Sequence, residues 1–145
     1  MADEFNLARF LNAQENSYAT ALNELRAGKK QSHWIWYVFP QIKGLGSSSN
    51  SEFYGLVSLA EASAYLNHPL LGQRLKEATA VLLVRRSQNV TSILGEIDAL
   101  KFKSCLTLFS LADPSEPLFT DALEYFFSGK RDERTIELLK AHTDI

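Results

Sequence analysis

The sequence predicts an all-α fold, a single compact domain of seven or eight helices over residues 1–145, and three observations carry that expectation. Apolar residues recur at spacings of three and four along most of the chain. Capping and helix-breaking residues punctuate those runs at short intervals, and no interior segment alternates strictly between apolar and polar. No repeat of fixed period marks a solenoid, and no shift in composition marks a domain boundary.

The elements follow in order. Asn6 precedes Leu7, Phe10 and Leu11, the stripe of a short first helix that runs to about Gln14. A second helix is expected from Asn16 to Arg26, with Tyr18, Ala21, Leu22 and Leu25 inside and Gly28 supplying the left-handed turn that ends it. Ser58 and Glu61 form a capping-box pair ahead of Leu59, Ala62 and Leu66, a run that reaches His68. Pro69 suits the first position of the next helix, whose stripe is Leu71, Leu75, Ala78 and Leu82 and whose last turn holds Arg85 and Arg86. Thr91 caps one short turn that stops at Gly95. Asp98 caps a helix carrying Leu100, Cys105, Leu108, Phe109 and Leu111, ended by Asp113-Pro114. Ser115 and Pro117 restart a helix through Leu118, Ala122, Leu123, Tyr125 and Phe126 to Gly129, and Asp132 caps a last one through Ile136, Leu138 and Leu139.

Composition narrows the function classes. The chain has 145 residues, 46% hydrophobic and 22% charged, enough to bury a sizeable core. Fifteen basic against seventeen acidic residues leave a net charge of -2, no bulk drive toward nucleic acid or an anionic membrane. The pairs Lys29-Lys30, Arg85-Arg86, Lys101-Lys103 and Lys130-Arg131 are each offset by nearby acids, so neither nucleic acid nor membrane is expected as a partner. A lone Cys105 and three scattered histidines supply no metal-ligand spacing, so neither metal nor cofactor is expected. The N-terminal residues have neither the basic region nor the apolar stretch of a signal peptide, and a cytoplasmic monomer or homodimer is the expectation.

One stretch stands apart. His33-Trp34-Ile35-Trp36-Tyr37-Val38-Phe39-Pro40 holds both tryptophans, and the residues from Gln41 to Asn50, with Gly44, Gly46 and a serine run, describe an exposed, adaptable loop. A helical reading with Ser32 as cap puts His33, Trp36 and Tyr37 on one face; an extended reading aligns Trp34, Trp36 and Val38. The all-α context favours a short helix. Functionally, Trp34, Trp36 and Tyr37 would wall a pocket with His33 at its mouth, and the glycine loop would offer backbone amides to an anion. A dense aromatic core followed by a turn accounts for the same residues structurally.

Over nearly the whole chain the sequence resembles the all-α domain-of-unknown-function eighteen-ten family of bacteria and fungi, whose members are sometimes mislabelled calpastatin. Among the positions that carry the resemblance are Arg9-Phe10, Ala13-Gln14, Glu24-Leu25, Ser32-His33-Trp34, Trp36, Phe39-Pro40-Gln41, Gly44-Leu45-Gly46, His68-Pro69, Leu71-Gly72, Gly95, Asp98, Lys101, Ser104 and Thr107-Leu108-Phe109. The resemblance implies about eight helices and no established activity. The family often carries methionine where Ile35 stands, a volume-preserving change, and a second acid where Ala99 stands, which leaves Asp98 the lone carboxylate of that turn.

Two function classes follow. In the first, Lys30, Trp34, Trp36, Tyr37, Gln41, Gly44, Gly46 and Ser104 bind a small anionic or nucleotide-like molecule. Hydrolysis would then fall to His33 as general base, with Glu24 or Asp98 as its partner and Lys101 beside it. In the second, large aromatics beside an exposed loop form a protein-interaction or homo-oligomerisation module without catalysis. Burial discriminates between them: rings lining a concave pocket with His33 favour a ligand, and rings flat on a surface favour a partner. Arg9, Glu24 and Arg74 carry a structural alternative as buried ion pairs that fix helix packing. Cys105 lies on a helix stripe, where a thiol behaves as a small apolar group.

Overall fold

The computed structural model describes residues 3–85 and 88–143, with backbone alone for 142 and 143. Ten helices are present among them rather than seven or eight: α1 (Ala8–Glu15), α2 (Tyr18–Ala27), α3 (Ile35–Val38), α4 (Ser49–Tyr54), α5 (Leu59–Asn67), α6 (Leu71–Val84), α7 (Val90–Leu94), α8 (Glu96–Ala112), α9 (Pro117–Phe127) and α10 (Glu133–Thr143). The described residues contain no strand, only an isolated parallel bridge between Ile42 and Leu56.

Helix α8 is the axis of the fold. Ala99, Phe102 and every residue from Ser104 to Ser110 are buried on it, so it is apolar around most of its circumference, as a helix enclosed on several sides must be. It packs against α5, α7, α9, α10 and α3, while α6 joins α2, α5 and α9 on the other flank. Two aromatic chains run through the core. Trp34 meets Phe39, which meets Phe102, with ring centroids 6.1 and 4.7 Å apart. Phe10 meets Tyr65 edge-on at 4.9 Å, and Tyr65 meets Phe109 at 5.6 Å.

Several helix starts differ from expectation, each for a local reason. Asp3, not Asn6, supplies the first cap: its carboxylate accepts from the amides of Leu7 and Ala8 at 2.7 and 2.8 Å. Ser58 accepts from the Glu61 amide as expected, but the Glu61 carboxylate reaches the Val57 amide one residue further back. Pro69 precedes α6 by two residues, and the His68 Nδ1 accepts from the amides of Leu70 and Leu71, so a histidine caps that helix. Asn89 rather than Thr91 caps α7. Gly95, at φ 90°, begins α8, which places Asp98 inside the first turn instead of at the cap. Glu116 caps α9 ahead of Pro117. Asp132 does cap α10, accepting from the Thr135 amide at 3.1 Å. Arg86, expected in the last turn of α6, lies outside the described residues.

Two stripe assignments also change. Leu100 and Tyr125 are 64% and 59% exposed, because the buried arcs of α8 and α9 run through Phe102 and Phe119 instead. The loop expected from Gln41 to Asn50 is partly helical: Ser48 caps α4, and the bridge at Ile42 and Leu56 closes the excursion at its base. No described helix is long and apolar enough to cross a membrane.

Candidate functional site

The aromatic segment is pinned from behind by α2. Glu24 accepts hydrogen bonds from the Gln31 amide (2.8 Å), the Ser32 amide (2.9 Å), the Ser32 hydroxyl (2.6 Å) and the Trp34 indole (2.8 Å). Partial burial works against its ionisation, but these donors outweigh it and hold the carboxyl down at about 2. The Lys30 amide donates to the Ile93 carbonyl of α7 at 2.7 Å, so residues 30–34 are fastened at both ends. Those ties, rather than a Ser32 cap, set up α3, whose four residues begin after Trp34 with no side-chain cap.

Fastening the segment there brings it against the start of α8. Lys30 Nζ lies 2.7 Å from Asp98 Oδ2, and Lys101 Nζ lies 3.6 Å from the other carboxylate oxygen. Each ammonium also sits over an indole: Lys30 is 4.9 Å from the Trp34 ring centroid, and Lys101 is 4.6 Å from that of Trp36. Between the two elements opens a cleft of about 550 Å³ lined by Lys30, His33, Trp36, Asp98 and Lys101 and rimmed by Gly95 to Ile97. Exposed His33 and half-buried Trp36 stand on one wall.

Five of the residues expected at a site therefore converge, and six do not. Trp34 is 1% exposed and belongs to the core, its indole N–H committed to Glu24. Tyr37 is packed on Tyr54 at 5.4 Å, away from the cleft. Gln41 turns back to donate to the Phe39 carbonyl. Together with Gly46 it lines a separate hollow of about 10 Å³ beneath Trp36, on the scale of one water molecule. Gly44 needs its φ of 107° for a close approach to Leu138, 3.3 Å from where a Cβ would stand. Ser104 donates to Asp132 Oδ2 at 3.0 Å and helps hold the start of α10. The glycine loop is thus a packing turn that lies outside the cleft.

No hydrogen bond joins His33 to Glu24 or Asp98 among the described residues, and Glu24 is engaged with the segment it anchors. A histidine–carboxylate dyad is not assembled in this geometry. Neither is a thiol nucleophile, since burial pushes the Cys105 thiol well up. No cluster of three potential metal ligands occurs among the described residues. Sequence reasoning missed the cleft's second rim, Gly95 to Ile97; Gly95 was legible as a helix stop, but nothing in the local sequence aims it at Trp36.

A family model described as a protein of unknown function, DUF1810, matches residues 4–139, which is most of the chain. The chain belongs to that family. The fold agrees with a solved structure, the conserved hypothetical protein Rv1873 from Mycobacterium tuberculosis: the two share 44% sequence identity and a TM-score of 0.93, over 95% of this chain and 99% of that one. No curated protein matches. DUF1810 membership and this likeness establish the all-helical fold and carry no assigned activity with them.

Proposed function

We propose that this protein binds a small anionic or nucleotide-like molecule in the cleft between the Lys30–Trp36 segment and the start of α8. The supporting observation is convergence. Lys30, His33, Trp36, Asp98 and Lys101 come from two distant parts of the sequence and line one concavity. Its volume of about 550 Å³ falls within the ~300–1,000 Å³ usual for small-molecule sites. A half-buried indole supplies a flat apolar wall, and an ammonium beside it supplies attraction for an oxyanion. Of the two rings Trp36 alone lines the concavity with His33, which supports a ligand over a partner surface, while Trp34 belongs to the core.

Titrating the protein with nucleotides and ADP-ribose-like compounds should change its tryptophan emission, because Trp36 lines the cleft. A thermal-shift screen against a metabolite library should return a compound that stabilises the wild type and not His33→Ala. Flat titrations and an empty screen would sink the proposal. One observation favours the alternative of an interaction module: Ile97 and Leu100, beside the cleft on α8, are 72% and 64% exposed. That reading expects a dimer mass in size-exclusion chromatography with light scattering, lost on Ile97→Ser/Leu100→Ser.

A further inference from the structure

Resting on the cleft reading above, we infer that Lys101 is the residue that selects an oxyanion on the ligand, exchanging its contact with Asp98 for the ligand, whereas Lys30 is fixed to the fold. The two lysines face the same carboxylate and each sits over an indole, but they differ in burial and in hydrogen bonding. Lys30 has a side chain 7% exposed, and its ammonium is occupied in three directions: by Asp98 at 2.7 Å, by the Ser32 carbonyl and by the face of Trp34. Two of its donors are taken by oxygens and the third faces an indole in a nearly closed site, so little of the ammonium is open to a ligand. Lys101 is 27% exposed on its side chain. Its distance of 3.6 Å from Asp98 is longer than a hydrogen bond of ~2.7–3.2 Å. Its other neighbour is the π-face of Trp36, which attracts an ammonium without accepting a conventional hydrogen bond.

Asp98 is therefore committed to Lys30, and its attraction for Lys101 is the weaker, solvent-screened one. An oxyanion entering the cleft would give Lys101 the hydrogen bonds it lacks, and the ammonium's departure from Trp36 would free that ring face for a flat group on the same ligand. The exposed Glu96 carboxylate, also on the cleft lining, disfavours an anion beside it, which leaves Lys101 as the place for it. The ligand class is thus a flat ring joined to a phosphate or carboxylate, with a nucleoside monophosphate as the simplest probe.

The test compares adenosine 5′-monophosphate with adenosine by isothermal titration calorimetry on wild type, Lys101→Met and Lys101→Arg, each checked for native circular dichroism. Wild type should prefer the monophosphate. Lys101→Met should lose that preference, weakening the monophosphate by about tenfold to a hundredfold and leaving adenosine nearly unchanged, and Lys101→Arg should retain most of it. Without any ligand, reductive methylation of the native protein should label Lys101 and spare Lys30, and the monophosphate should then protect Lys101. A phosphate preference that survives in Lys101→Met, or a Lys101 as protected as Lys30 in the free protein, overturns the assignment while leaving the cleft reading standing. Failure of both compounds to bind the wild type overturns this assignment, whereas the cleft reading falls only with the flat titrations and the empty screen.

Discussion

Arg9 tests whether the charged residues of this sequence hold the fold or serve a ligand. Its guanidinium donates to the carbonyls of Phe5 (2.6 Å), Asn6 (2.8 Å), Phe53 (2.8 Å) and Gly55 (3.3 Å) and pairs with Glu61 at 2.8 Å. One side chain thus ties α1 to the end of α4 and to α5. The two side chains are 8% and 3% exposed. In Arg9→Met the Glu61 carboxylate stays buried with its charge uncompensated, a loss worth about 3–5 kcal/mol when one member of a buried pair is removed. A chain of this size has about 5–15 kcal/mol of stability in total, so the variant should lose about a fifth or more of it. The corresponding fall in Tm is about 10 °C. Glu61→Gln should lose about 2–4 kcal/mol, because an amide cannot satisfy both Arg9 and the Val57 amide. The double variant should lose less than the sum of the singles by about 2 kcal/mol, since each substitution removes the other's penalty. Urea unfolding followed by far-ultraviolet circular dichroism gives all three values. Single losses below about 1 kcal/mol, or strict additivity, would refute the structural role.

Three further outcomes are expected. Gly72→Ala puts a Cβ 1.9 Å from the Leu66 carbonyl oxygen, where α5 hands over to α6, and should cost about 3 kcal/mol by the same unfolding assay; an unchanged Tm would contradict the close approach. Glu24 is held at about 2 in the folded protein against an ordinary 4.5, so its contribution is fully present above the unfolded value and is lost as pH falls through the folded one. Stability measured from pH 5 to pH 2 should therefore fall less steeply in Glu24→Gln than in wild type, and parallel curves would argue against it. Cys105, buried with its thiol pushed well up, should react with a disulfide reagent only as fast as the protein opens; prompt labelling of the native state would disagree.

Periodicity was a good guide wherever one face of a helix decided its burial. The stripes of α2 and α6, Tyr18 to Leu25 and Leu71 to Leu82, lie inside as their spacing requires. Where a cap is supplied from outside the immediate turn, the pattern misleads. Asp3 reaches forward over four and five residues to start α1, and a histidine does for α6 what serine or aspartate usually does. Helix α4 escaped because serine and asparagine favour turns and caps alike, and the bridge that makes a compact loop of its surroundings joins Ile42 to Leu56, a relation no local window contains. At the site, the tryptophan segment supplies one wall of the cleft and the glycine loop none of it, since loop composition reports adaptability and not the direction in which amides point.

Sequence assigns charge and ring type; burial decides what they are used for. Trp34 and Trp36 are two residues apart, and Lys30 and Lys101 share one aspartate, yet one member of each pair is consumed by the fold. Glu24 makes the difference. By taking the Trp34 indole N–H together with the Ser32 and Gln31 amides, it fixes the segment so that Trp34 turns inward under Lys30 and Trp36 is left on the wall of the cleft. The Lys30–Asp98 pair then holds that wall to α8, and because Asp98 makes its short contact with Lys30, Lys101 is the cation with capacity to spare. Removing Glu24, which is not itself on the lining, should consequently disturb the cleft by releasing Gln31, Ser32 and Trp34, through the same hydrogen bonds that make its carboxyl unusually acidic.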